Sequence, residues 1–168
     1  FSAKKLNIKV VRVADIFGPP LSETVLGYIL LFNRGLLTKD NVIRNDNWSK
    51  VDSFLLSEKT LGIIGMGHVG KELAKKALFL GMNVAYHDVK DIDLNLELDD
   101  AKKTSFNDLL NISDFISIHC DLNDSSKKLF GQEQFIRMKN SSVIINTARG
   151  QIIDERALIN ALKNKMIG

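Results

Sequence analysis

The apolar residues of this chain fall in short runs separated by polar, glycine-bearing breaks, and the runs alternate between two periods. Leu61 to Ile64 is a continuous apolar stretch of strand length. Val69, Leu73, Ala77 and Leu80 follow at spacings of 4, 4 and 3, which places them on one face of a helix. Gly81 then stands where a helix C-cap belongs, and Asn83 to Asp88 predicts a second strand. Val89 to Lys103 is acidic and aliphatic by turns, a loop with short pieces of structure. Ser105 with Asp108 resembles a capping box that opens a short helix through Leu109 and Leu110. Phe115 to Ile118 predicts a strand, Gln132 to Met138 a helix, and Ser142 to Asn146 another strand. Asp154 caps a last helix carrying Ala157, Leu158, Ala161 and Leu162. From Thr60 the order is therefore β-α-β-loop-α-β-α-β-α. Short apolar strands alternating with helices imply an α/β fold, a doubly wound parallel sheet covered on both faces.

Upstream of Thr60 the pattern is different. Asn7 to Val13 predicts a strand, which Gly18-Pro19-Pro20 breaks. Ser22 is a candidate N-cap for a helix carrying Val25, Leu26, Ile29, Leu30, Phe32 and Leu36. That helix is apolar over most of its circumference, so it is either buried between domains or subunits or an ordinary core helix. Thr38 to Leu56 is polar and irregular, a connector with Trp48 as its only large anchor.

Composition narrows the class without naming an activity. A chain of 168 residues with 45% apolar and 26% charged positions is long enough to bury a sizeable core. The net charge of +3 comes from scattered lysines, with no basic run and no aromatic interleaving, so nucleic acid is not an expected partner. The single cysteine, Cys120, excludes an internal disulfide and suits a reducing compartment, the cytoplasm. No apolar run reaches the ~18–20 residues that span a bilayer, and no metal site is expected. The chain starts at Phe1 and stops at Gly168 where a new strand is expected to begin, and so reads as a piece of a longer protein.

The candidate chemistry begins at Gly65-x-Gly67-x-x-Gly70, directly after the first strand of the sheet. Such glycines permit a tight turn, a close approach of backbone to a pyrophosphate, and tight packing of helix on strand. A pyrophosphate would sit on the amides of His68 and Val69 at the positive end of the helix dipole. Asp88 ends the next strand 18 residues after Gly70, where an acid takes the ribose hydroxyls of a dinucleotide. It also argues for NAD over NADP by at least tenfold. A 2′-phosphate about 4 Å from it would cost roughly 4 kcal/mol at an effective dielectric near 20, less after screening.

Three stretches resemble one family. They are Leu61 to Asp88, the segment Leu109 to Leu122 with its strand ending in His119-Cys-Asp-Leu122, and Met138 to Asp154 with its Asn146-x-x-Arg149-Gly150 block. Together they are similar to the NAD-dependent D-isomer-specific 2-hydroxyacid dehydrogenases. The resemblance implies a Rossmann-like NAD-binding domain over residues 21–168, including an interdomain helix and cut short at its C-terminal end, with residues 1–20 as a remnant of the substrate domain. It implies a hydride transfer between NAD(H) and a small 2-hydroxy or 2-keto acid in a homodimer. Cofactor contacts would come from Gly65, Gly67, His68, Val69, Gly70, Asp88, His119, Cys120, Thr147 and Arg149. Arg149 matches the catalytic arginine, whose planar fork suits a substrate carboxylate. A binding module of the corepressor type, an NAD-sensing dimer on the same fold, is the alternative.

Two departures from the family pattern stand out. Asp121 replaces a proline after His119, so a less rigid loop is expected. The general-acid histidine and its partner glutamate have no counterpart in this chain, and His119 matches a structural position. Without that acid, hydride transfer would lose roughly 10²–10⁴-fold, so these residues alone are expected to be inactive.

Overall fold

Glycine and proline positions decide where the helices Gly18–Asn33 and Leu36–Arg44 begin and where His68–Phe79 ends. Ser105 and Asp154 cap the helices that open at Phe106 and Glu155. The computed structural model describes residues 3–10, 16–94 and 96–168. Its sheet contains β1 (Thr60–Ile64), β2 (Asn83–His87), β3 (Lys102–Lys103), β4 (Phe115–Ile118) and β5 (Val143–Asn146). All neighbours are parallel, in the order β3-β2-β1-β4-β5. The register places Leu61 of β1 beside Val84 on one side and Phe115 on the other. The chain thus runs outward from β1 to β3 and then returns to build β4 and β5 on the opposite side. The reversal falls between β1 and β4, where the following segments part and leave a crevice at the carboxyl ends of the strands.

The helices are α1 (Gly18–Asn33), α2 (Leu36–Arg44), α3 (His68–Phe79), α4 (Phe106–Ile112), α5 (Gln132–Arg137) and α6 (Glu155–Lys163). Two buried clusters show how they are layered. Val25 and Ile29 of α1 join Leu73, Ala74 and Ala77 of α3 over Leu61, Ile63, Val84 and Tyr86. On the other face Leu109, Leu110, Phe135 and Ala161 pack over Ile64, Ile116 and Ile118. The strands feed both layers because successive side chains point to opposite faces. Truncating the fully buried Leu73 to alanine would cost roughly 2–5 kcal/mol, a large part of a margin of about 5–15 kcal/mol. α3 closes as expected, with Gly81 at φ +79° and the amides of Gly81 and Met82 returning to the carbonyls of Leu78 and Ala77.

The region before Thr60 differs from expectation. Residues 8–10 hold no strand, and residues 11–13 of the expected strand lie outside the described residues. Gly18-Pro19-Pro20 opens α1 instead of breaking the chain, because the first turn has no partner for the amide hydrogens that proline lacks. Ser22 is accordingly inside α1, its hydroxyl donating to the Pro19 carbonyl at 2.7 Å, and it is no N-cap. The helix does not reach Leu36: Gly35 adopts a left-handed conformation, and α2 occupies the start of the expected connector. An exposed Asp40–Arg44 pair at 2.7 Å supports α2 along its own surface. α1 is only partly covered, with Tyr28 and Phe32 exposed, and Trp48 is 90% exposed and anchors nothing.

Candidate functional site

β1 leaves the sheet through Gly65, whose φ of +94° is costly for any residue with a side chain. A Cβ there would also lie 2.7 Å from the Cys120 nitrogen and 2.9 Å from the His119 carbonyl carbon. The end of β4 therefore approaches the turn backbone to backbone. Gly70, in the first turn of α3, faces the Gly65 carbonyl so closely that a Cβ would collide with it. Gly67 is different, because a Cβ at this N-cap position would meet nothing within 4 Å. Protein packing explains Gly65 and Gly70. Protein packing does not require the bareness of Gly67, which lies beside the amides that open α3, where the helix dipole favours an anion.

Asp88 follows β2 and faces the same turn. Its Oδ2 accepts the Met66 amide at 2.8 Å and its Oδ1 the Lys90 amide at 2.9 Å. The carboxylate is thereby fixed in direction at the rim of the glycine turn. His87 beside it turns away, with Nδ1 3.2 Å from the Thr104 carbonyl, an acceptor that requires the proton on that nitrogen.

Val69, His119, Cys120, Thr147 and Arg149, five of the expected contacts, line one cleft of about 530 Å³, together with Leu21, Asp121, Leu122 and Ala148. His119 is the hinge of its wall. The ring Nε2 lies 2.8 Å from the hydroxyl of the buried Ser117, and Nδ1 lies 3.5 Å from the Thr147 hydroxyl. The imidazole thus spans the carboxyl ends of β4 and β5. Burial pushes its pKa down to about 4, so the ring is neutral at physiological pH. Burial likewise pushes the Cys120 thiol up, with the charges of Asp121 and Asp88 adding to the effect, and the sulfur stays protonated.

Arg149 is exposed at the mouth of the cleft, its Nη1 donating to the Ala148 carbonyl at 2.8 Å. Among the described residues it has no carboxylate partner. Its loop is held from two directions. The Asn146 side chain donates through Nδ2 to the Arg149 carbonyl at 2.9 Å and accepts the Ala148 amide through Oδ1 at 3.0 Å. Behind the loop, Phe130 and Ile153 form a parallel bridge, and Lys128 pairs with Asp154 at 3.0 Å. Asp154 also caps α6 by accepting the Arg156 and Ala157 amides.

The loop that holds Asp121, expected to be less rigid, carries several side-chain hydrogen bonds. The Ser126 hydroxyl donates to the Asp121 carbonyl at 2.6 Å, and Asn123 Oδ1 accepts the Ser125 and Ser126 amides. Such Asn and Ser side-chain bonds to nearby backbone are a usual feature of turns. His68 lies apart from the cleft, lining a smaller depression of about 250 Å³ with Lys71, Glu72, Lys75 and Asp93. Asn146 and Leu21 were not among the expected site residues. The Asn146-x-x-Arg149-Gly150 spacing carried a signal for the first, and nothing local marked the second.

A glycine turn at the reversal of a parallel sheet, with an acid at the end of the next strand, defines a dinucleotide-binding α/β domain. Residues 26–168 match the family model described as D-isomer specific 2-hydroxyacid dehydrogenase, NAD binding domain, and the chain belongs to this family. A glycerate dehydrogenase of Methylorubrum extorquens is 35% identical over 99% of this chain and 53% of its own length. D-lactate dehydrogenase with NAD+ from Lactobacillus jensenii superposes with a TM-score of 0.86 at 30% identity, covering 98% of this chain and 50% of its own. D-lactate dehydrogenase from Aquifex aeolicus, complexed with NAD and lactic acid, gives 0.88 at 28% identity, again with 98% and 50% coverage. The chain spans about half the length of these relatives.

Proposed function

We propose that the full-length protein is an oxidoreductase that transfers a hydride between NAD(H) and a small D-2-hydroxy acid or its 2-keto acid. The observation that carries this reading is the meeting of the α3 N-terminus, at Val69, with an exposed, carboxylate-free Arg149 in one cleft. NAD supplies the hydride acceptor or donor when bound. Gly67 leaves the room that a pyrophosphate needs, and the His68 and Val69 amides would receive it. Asp88, already aimed by the Met66 and Lys90 amides, would accept the adenosine ribose hydroxyls and repel a 2′-phosphate. His119, Cys120 and Thr147 would form the wall beside the cofactor. Arg149 would bind the substrate carboxylate and draw electron density from the carbonyl beside it. His119, neutral and engaged at both nitrogens, suits a wall better than a proton donor, so the proton would move through a histidine outside these residues.

The same reading assigns residues 21–168 to the cofactor domain and 1–20 to the end of the substrate domain, with α1 crossing the boundary. It also takes the protein to be a cytoplasmic homodimer. The exposed Tyr28, Phe32 and Leu37 support a dimer, since such apolar surface gains from a partner. Among the described residues no helix is long and apolar enough to cross a membrane. A steady-state assay with 2-keto acids and NADH tests the activity. A monomeric mass by light scattering at micromolar concentration would contradict the dimer.

A further inference from the structure

We infer that Asn146 is a positioning residue that sets the direction of Arg149 toward the cleft. The inference rests on the proposed role of Arg149 and adds the means by which that role is achieved. Asn146 is the last residue of β5, so its backbone is fixed by the ladder to β4, where it pairs with Ile118. Its side chain bridges two groups of opposite kind, the Ala148 amide at 3.0 Å and the Arg149 carbonyl at 2.9 Å. An amide hydrogen needs an acceptor and a carbonyl needs a donor, and a carboxamide offers both at this reach. Aspartate would set a second acceptor against the Arg149 carbonyl, and glutamine would be one methylene too long for the same ring of bonds. The bridge clamps the peptide on each side of Ala148 and leaves Arg149 extended, at φ −143° and ψ +136°. The guanidinium, which donates only to the neighbouring Ala148 carbonyl among the described residues, takes its direction from that backbone. Side chains that hold an acting residue in place are expected to matter through it, because small displacements of a binding group weaken transition-state contacts.

The full-length protein carrying Asn146→Asp or Asn146→Ala tests this, with Arg149→Lys as the second background. Each Asn146 variant should lose at least tenfold in kcat/KM for whichever of hydroxypyruvate, glyoxylate or pyruvate the parent reduces, with kcat lowered as it is on loss of Arg149. NADH affinity should stay within twofold. In the Arg149→Lys background, adding Asn146→Ala should cost less than threefold more, because the arginine it positions is gone. Amide exchange at Ala148 should accelerate at least tenfold in Asn146→Ala while Ile116 and Ile118 of β4 are unchanged. Independent, multiplicative losses in the double variant, or an equal loss of NADH affinity, would overturn the inference. Should the parent protein reduce none of the acids, the proposed function fails. The exchange rates then still decide the bridge, with unchanged rates at Ala148 overturning it.

Discussion

The Asp88 carboxylate accepts the Met66 amide at 2.8 Å, and this bond, beside that of the Gly65 amide to the His87 carbonyl at 2.9 Å, ties the end of β2 to the turn that leaves β1. The acid expected to read the ribose is therefore also part of the turn expected to hold the pyrophosphate. Asp88→Asn keeps a side-chain oxygen for Met66 but removes the charge. NADH affinity should fall several-fold, and the preference for NADH over NADPH should shrink by at least tenfold, measured by calorimetry with both cofactors. Asp88→Ala should show the same loss of preference and an added destabilisation of about 1–2 kcal/mol, because the Met66 amide loses its acceptor.

The glycine turn separates into residues the fold needs and a residue, Gly67, that the fold does not need and the proposed cofactor would. Gly65→Ala combines a positive φ with contact against the Cys120 and His119 backbone, and should lower the thermal midpoint markedly, by roughly 2 kcal/mol or more of stability. Gly67→Ala has open space for its methyl group, so the midpoint should stay within a degree or two while NADH binding weakens by at least tenfold. Thermal unfolding with and without NADH distinguishes the two.

That turn was legible in the sequence because each glycine, the strand before it and the helix period after it are local features. The parallel sheet followed from the alternation of strands and helices, whereas the two-residue β3 lies within the stretch read as a loop and was too short to announce itself. The beginning of the chain was not legible to the same degree. Gly18-Pro19-Pro20 has the composition of a break and the position of a helix start, and only packing of α1 on α3 decides between them. Gly35 interrupts an apolar run that reads as one helix, and α2 has no buried residue to announce it. At the cleft, Arg149 was visible through its motif. The Asn146 bridge was not, since it depends on a loop geometry that spacing does not specify.

Arg149→Ala should reduce turnover in the full-length protein by at least a thousandfold while leaving the NADH dissociation constant within about threefold. Arg149→Lys should recover only part of the loss, because an ammonium cannot grip a carboxylate in two places. Fluorescence titration of NADH beside initial-rate kinetics checks both. An equal loss of cofactor affinity would mean that Arg149 holds the cofactor rather than the substrate.

His119 makes stability depend on pH with a definite sign. Its folded pKa of about 4 lies below the ordinary 6.5, so between these values the unfolded chain binds the extra proton. Stability from this group is full above pH 6.5, falls as pH is lowered toward 4, and levels off below that. The loss should reach at most about 3 kcal/mol, less where solvent reaches the ring. Urea midpoints for the parent and His119→Gln between pH 4 and 8 should converge at the acid end and diverge above pH 6.5. Parallel curves would mean that the ring is not held neutral.

The central claim is that the cleft between the glycine turn and Arg149 binds NAD(H) beside a 2-keto acid. The full-length protein should consume NADH with at least one of hydroxypyruvate, glyoxylate and pyruvate, and at least tenfold more efficiently than NADPH. Absence of NADH consumption with every one of these acids, under conditions where NADH binding is demonstrated, would contradict it.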